Sequence, residues 1–190
     1  MKYCEIEFKY NAATMSLDTF MKFCQKLGPT KFNIASGFDH LYENPQDKDY
    51  FGRYRVGADI NQLTTKRKTV EANNFVRGEI NVDLAPGETK DKADAIFEFF
   101  GYKYNTSIFK NCFIYKFDWY TLVFYVVYNT EMEELGRFFE IEMSEDHKWN
   151  DEKHATAELV VLEKLCKPLG ITPPARIKRS LFEMYRKESV

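Results

Sequence analysis

Apolar and polar residues alternate from the first strand-length segment onward. Over residues 3–10, Glu5, Glu7 and Lys9 fall on one side and Ile6, Phe8 and Tyr10 on the other. That period of two is the signature of a β-strand. The period then changes. Ser16 has the character of an N-cap before Leu17, Phe20, Phe23, Cys24 and Leu27 at helical spacing, closed by Gly28-Pro29. Strands are predicted at 31–42, 51–57, 60–69 and 74–84, with Pro86-Gly87 ending the run. Asp91 opens a short helix carrying Ala95, Ile96, Phe99 and Phe100, stopped at Gly101. Strands return at 107–117, 120–128 and 137–143. A helix over 151–169 carries Leu159, Leu162, Leu165 and Cys166, and Gly170 to Pro174 breaks it. Ile177, Leu181, Met184 and Tyr185 mark a last amphipathic helix. The sum is an α+β protein, mainly antiparallel strands with helices packed around them. No repeat or linker divides the chain, so residues 1–190 read as one domain.

Composition narrows the field. Hydrophobic residues make up 44% of the 190 and charged residues 29%, the balance of a folded globular protein. Phe and Tyr supply most of the 16% aromatic content, which suits sheet packing. A net charge of −2 argues against extended duplex binding through phosphates alone. Cys4, Cys24, Cys112 and Cys166 are scattered with no C-x-x-C, and His40, His147 and His154 lie apart from them, so no zinc site is expected. Dispersed free thiols suit a reducing compartment, and no segment has signal-peptide or transmembrane character, so a cytoplasmic protein without membrane contact is expected.

The chemistry lies in what alternates with the apolar residues. Period two puts Glu5, Glu7 and Lys9 on one strand face, and likewise aligns Arg53 with Arg55, Lys66 with Lys68, Arg77 with Glu79, and Glu140 with Glu142. Lys110 belongs with them. The opposite faces carry Ile6, Phe8, Tyr54, Val56, Ile80, Val82, Ile141 and Met143, which helices are expected to cover. An ordinary solvated sheet face mixes Thr, Ser and Gln with its charges, whereas these positions are almost all full charges. The signs are also sorted: carboxylates in the first and last of these strands, Arg and Lys in the middle ones. A Glu-x-Glu pair beside a basic cluster is what a metal–polyphosphate complex requires, because hard Mg²⁺ or Mn²⁺ takes oxygen ligands and phosphates take guanidinium and ammonium groups.

The ordered set resembles the CYTH domain of the triphosphate tunnel metalloenzymes. Glu5-Ile6-Glu7-Phe8-Lys9 is similar to the E-x-E-x-K signature, and Arg53-Tyr54-Arg55 to the R-x-R strand. Leu63-Thr64-Thr65-Lys66 resembles the basic T-x-K strand, and Arg77-Gly78-Glu79 the start of R-x-E-x-E. Leu135-Gly136-Arg137-Phe138-Phe139-Glu140-Ile141-Glu142 is close to L-G-x-F-x-E-I-E. The resemblance spans nearly the whole chain, with Leu169-Gly170-Ile171 and Arg179-Ser180-Leu181 similar to the family's C-terminal segment.

The resemblance implies a closed antiparallel β-barrel, a tunnel for a triphosphate, with flanking helices. It implies that Glu5, Glu7, Glu140 and Glu142 hold Mg²⁺ or Mn²⁺ directly or through water, and that Lys9, Arg53, Arg55, Lys66, Lys68, Arg77 and Lys110 bind phosphate oxygens. Lys9, Arg55 and Glu142 are the catalytic candidates, and Glu79 either pairs with a cation or reaches the metal. The implied activity is hydrolysis of a triphosphate: ATP or another nucleoside triphosphate, thiamine triphosphate or tripolyphosphate. The alternatives are an adenylyl cyclase of class IV type making cyclic AMP and pyrophosphate, an RNA 5′-triphosphatase acting on an RNA 5′ end, and a non-catalytic nucleotide or polyphosphate binder. Three departures bear on the choice. Asn81 stands at the second acid of R-x-E-x-E, Cys112 stands where an Arg commonly follows the Lys of a K-x-R strand, and Asn129 or Thr130 replaces an Asp before Leu-Gly, with Glu131 or Glu133 as substitutes. The three histidines are expected to be surface or structural residues, and Asp39, Tyr42, Cys112 and Trp119 to be structural; Lys178, Arg179, Arg186 and Lys187 are expected to form a solvated helix face, the alternative being that Lys178 or Arg179 reaches the tunnel mouth, and Trp149 to pack or to stack on a base.

Overall fold

A computed structural model describes residues 4–67, 76–144 and 152–187. Eight antiparallel strands close into a barrel: β1 Cys4–Asn11, β2 Lys31–Glu43, β3 Tyr50–Gly57, β4 Ile60–Arg67, β5 Val76–Asp83, β6 Lys103–Lys116, β7 Tyr120–Tyr128 and β8 Glu134–Met143. Around the barrel the order is β1-β5-β4-β3-β2-β6-β7-β8, and pairs such as Glu7 with Glu142 and Lys9 with Glu140 close it between the first strand and the last. Closure removes free edges. It also converts the period of two into an inside and an outside.

The seam between β1 and β5 is short, three residue pairs from Cys4–Gly78 to Ile6–Val76. Further along β1 the backbone is met by the C-terminal segment, where Tyr10 bridges Arg176 and the Ile177 N–H donates to the Lys9 carbonyl at 2.7 Å. Glu163 fixes this segment, accepting from Arg176 at 2.7 and 2.5 Å and from the Tyr10 hydroxyl at 2.6 Å. The last helix is correspondingly shorter than its apolar spacing predicts. Ile177 lies in the extended stretch, and α4 spans Leu181–Tyr185, started by Ser180 in a reciprocal capping box with Glu183.

Helices α1 (Leu17–Lys26) and α3 (Glu152–Leu165) cover the outer face of β1, β7 and β8. Phe20, Cys24, Leu159, Leu162 and Cys166 join Phe8, Tyr10, Leu122, Phe124, Phe139 and Ile141 in the largest core. Ser16 caps α1 as expected, accepting from the Thr19 N–H at 3.1 Å. A second core forms under α2 (Lys90–Phe99), where Ala93 and Phe97 pack on Tyr42, Tyr54 and Leu63. Gly52 makes this possible, since a Cβ there would lie 2.3 Å from the Phe97 ring. The apolar face of α2 matches the expected one only at Ile96, which packs on this core. Residues 93 and 97, one turn apart, face the barrel, while Phe99 and Phe100 are 85% and 67% exposed and pack edge-on against each other. The helix starts at Lys90 after Thr89, one residue before Asp91. Ile80 and Val82 on the outer face of β5 are also exposed; among the described residues no helix covers them. β6 and β8 begin before their predicted starts because their first residues still pair with β2 and β7 beyond register shifts at Leu41/Tyr42 and Val127/Tyr128.

A third core lies inside the barrel at one end. Phe182 of α4 stacks on Phe51 of β3 with centroids 5.2 Å apart, and Leu41, Ile108, Val127 and Phe138 surround them. The opposite mouth is lined by Lys31, Lys116, Phe117, Asp118 and Met143. No helix among the described residues is long and apolar enough to cross a membrane.

Candidate functional site

The barrel encloses a cavity of about 660 Å³, within the range of small-molecule sites. Every expected site residue whose side chain is described faces it: Glu7 and Lys9 from β1, Arg53 and Arg55 from β3, Lys66 from β4, Lys110 from β6, and Glu140 and Glu142 from β8. Glu79 and Asn81 face it from β5. Lys68, His147 and Trp149 lie outside the described residues, as do the side chains of Glu5 and Arg77.

The charges are arranged by wall. β1 and β8 are neighbours, and their register sets Glu7 directly across from Glu142 and Lys9 across from Glu140. β3 and β2 lie on the far side of the ring. There Arg55 makes a two-point pair with Asp39, Nε to Oδ1 at 2.6 Å and an NH2 group to Oδ2 at 2.8 Å. Burial pushes the Asp39 carboxyl up, but the Arg55 guanidinium more than offsets this and holds it well below the usual carboxylate range. Asp39 therefore belongs to the lumen wall, a place its sequence reading as a structural residue did not give it.

Between these walls runs a polar network. Lys66 pairs with Glu79, and Arg53 lies 3.6 Å from the same carboxylate. Burial raises the Glu79 carboxyl, yet Lys66, Arg53 and a hydrogen bond from Asn81 bring it down to about 2. The departure at Asn81 has a physical reading here. Its amide accepts from the Thr64 hydroxyl at 2.7 Å and donates to Glu79 at 2.8 Å. A carboxylate at 81 would have no proton to give and would repel Glu79. Arg53 donates to Thr64 at 3.0 Å, and its Nε is buried with no hydrogen-bond partner among the described residues. A buried, unsatisfied guanidinium donor beside a cavity is costly unless an anion completes it.

On the acidic wall Lys9 Nζ lies 3.1 Å from Glu140 Oε1 and 3.5 Å from Glu7 Oε1. Among the described residues no three ligand side chains are already gathered as a metal cage. The donor chemistry nevertheless fits a hard divalent cation. Glu7, Glu140 and Glu142 project into one cavity from adjacent strands, and like charges set opposite each other are destabilising unless a cation joins them.

β7 contributes Thr121, Val123 and Tyr125 to the interior. Tyr125 is fully buried, donates to Glu140 Oε1 at 2.7 Å, and carries Lys110 Nζ 4.1 Å over its ring centroid. Burial and the adjacent Glu140 raise its phenol well above its ordinary value. Asn129 and Thr130 sit in the turn between β7 and β8. Glu131 and Glu133 are exposed there, bonded to Thr130 and Asn129 at 2.9 and 2.8 Å, so neither replaces a lumen carboxylate. Cys112 faces the cavity beside Lys110, and burial raises its thiol. His40 is structural as expected, stacked near Phe38 and Tyr54 and bonded through Nδ1 to Ser107 at 2.6 Å. Lys178, Arg179, Arg186 and Lys187 are exposed but flank α4 rather than forming a helix face.

Sequence comparison matches no family model and no curated protein. Solved structures do match. A conserved hypothetical protein of Pyrococcus furiosus is similar at a TM-score of 0.74 and 22% identity, over 95% of this chain and 99% of that one. A candidate adenylate cyclase of Vibrio parahaemolyticus is similar at a TM-score of 0.68 and 17% identity, over 97% and 98%. The triphosphatase of the mimivirus capping enzyme is similar at a TM-score of 0.56 and 11% identity, over 88% and 89%. At 11–22% identity these likenesses are likenesses of fold, each extending over nearly the whole of both chains.

Proposed function

We propose that this chain is a metal-dependent triphosphatase, hydrolysing the terminal phosphoanhydride of a triphosphate bound inside the barrel. The observation that carries the reading is the enclosed lumen itself: Arg53, Arg55, Lys66 and Lys110 across from Glu7, Glu140 and Glu142, with Lys9 between two of the carboxylates. A triphosphate brings about four negative charges, and cations fixed before it arrives favour the charge that develops in phosphoryl transfer. Glu7, Glu140 and Glu142 would hold Mg²⁺ or Mn²⁺, which supplies charge neutralisation and a lowered pKa for attacking water. Arg53 and Arg55 orient the phosphate chain, the first through its unfilled Nε, the second while anchored by Asp39. Lys9, held between Glu7 and Glu140, would bind phosphate oxygens next to the metal. Asn81 and Thr64 keep Glu79 turned toward Lys66 and Arg53, so that the basic wall is not collapsed by repulsion.

The test is one reaction panel. ATP, GTP, thiamine triphosphate, tripolyphosphate and triphosphorylated RNA are each incubated with Mg²⁺ and with Mn²⁺, and the products separated. Release of orthophosphate from at least one substrate, absent without metal, is expected. Cyclic AMP with pyrophosphate would replace the proposal with a cyclase. A thermal shift with tripolyphosphate and no product from any substrate would replace it with a binder.

A further inference from the structure

Tyr125 of β7 is fully buried, and on that strand's inner side Val123 and Val127 flank it. Its ring stacks on Phe138, directly opposite on β8, at 5.3 Å. Its hydroxyl reaches diagonally past Phe138 to Glu140 Oε1 at 2.7 Å, the oxygen that also faces Lys9 Nζ at 3.1 Å. One oxygen of Glu140 is thus engaged from both flanks. The side chain keeps 13% exposure against 7% for Glu7, so Glu140 is the more open of the two toward the cavity. The other side of the same ring carries the Lys110 ammonium at 4.1 Å.

We propose that Tyr125 is a positioning residue that fixes the Glu140 carboxylate for metal binding through its hydroxyl and aims Lys110 at the phosphates through its ring. The proposal rests on the function proposed above. Packing alone would be met by Phe at this position, since valines flank it and Phe138 supplies the stacking surface. The hydroxyl is explained by the acceptor it chooses. A ligand whose free rotation is removed loses less entropy on binding, and partners that orient metal ligands are worth about 10–100-fold in metal affinity or activity.

Two variants separate the two roles. Tyr125→Phe keeps the ring and removes the hydrogen bond; Tyr125→Leu removes both. Mn²⁺ binding to the intact chain is followed by electron paramagnetic resonance without substrate, and tripolyphosphate binding by calorimetry without metal. Tyr125→Phe is expected to weaken Mn²⁺ roughly tenfold or more and to leave tripolyphosphate affinity within about twofold. Tyr125→Leu is expected to weaken tripolyphosphate as well, by roughly tenfold, the loss of a desolvated cation–π contact. Phe138→Leu serves as the packing control, and its Mn²⁺ affinity should stay near wild type even if its melting temperature falls. Wild-type Mn²⁺ affinity in a folded Tyr125→Phe, or an equal loss in Phe138→Leu, overturns the positioning role and leaves the triphosphatase reading standing. A wild-type chain that binds neither Mn²⁺ nor tripolyphosphate overturns both.

Discussion

Arg55→Ala offers the sharpest test of how the basic wall is built. Asp39 is 3% exposed, and the Arg55 side chain that pairs with it is 25% exposed. Removing one partner of a fully buried ion pair costs about 3–5 kcal/mol, because the other charge stays behind uncompensated. Lys110 and Arg53 also attract Asp39, and the cavity admits water, so the expected cost here is about 2–3 kcal/mol at neutral pH. For a chain of this size that is a fall of roughly 4–12 °C in melting temperature. Adding Asp39→Asn should return about half of the loss, since the stranded charge is gone. The pH dependence has a fixed sign. Asp39 is held below its ordinary value in the folded state, so its pairing stabilises above the unfolded pKa of about 3.9 and that contribution is lost as pH falls through the depressed value. In Arg55→Ala, burial takes over and Asp39 protonates at higher pH, so the gap from wild type should narrow between pH 7 and pH 4.5. Urea unfolding of the three proteins (wild type, Arg55→Ala and the double variant) at both pH values measures this. A single mutant within 0.5 kcal/mol (about the error of such a comparison) of wild type at pH 7, or a gap unchanged at pH 4.5, would refute the reasoning.

Two further outcomes are expected. Glu7→Gln should abolish turnover while triphosphate binding persists, and Arg55→Ala should mainly weaken binding; a phosphate-release assay paired with calorimetry distinguishes them, and near-wild-type rates in both variants would remove the site assignment. Gly52→Val should destabilise by about 1–3 kcal/mol, because its Cβ would meet the Phe97 ring at 2.3 Å and push α2 off the barrel; the double variant with Phe97→Ala should recover part of the loss in chemical denaturation.

The lumen was legible where full charges fall on every second residue of a strand, because a polar interior is what lets such charges be buried. Glu7, Lys9, Arg53, Arg55 and Glu140 all carry that signal. Tyr125 does not. It lies in Tyr120–Tyr128, where eight of nine residues are buried on both faces, so no alternation marks which side is lumen. Asp39 was recoverable in principle: it shares parity with Leu41 on β2, and strand pairing places it across from Arg55, but the pairing itself is not written in either segment. Phe99 and Phe100 misled for the opposite reason, since hydrophobicity alone does not say which turn of a helix meets a neighbour.

Helix α4 fills one end of the barrel among the described residues, with Phe182 laid against Phe51. On the triphosphatase reading, a guest that enters tail first from the opposite mouth would leave by that mouth. Orthophosphate cut from that tail would be trapped behind the shortened nucleotide or pyrophosphate until the larger fragment departs. Turnover would then follow a fixed order of exit, with the remnant leaving first and the small anion last.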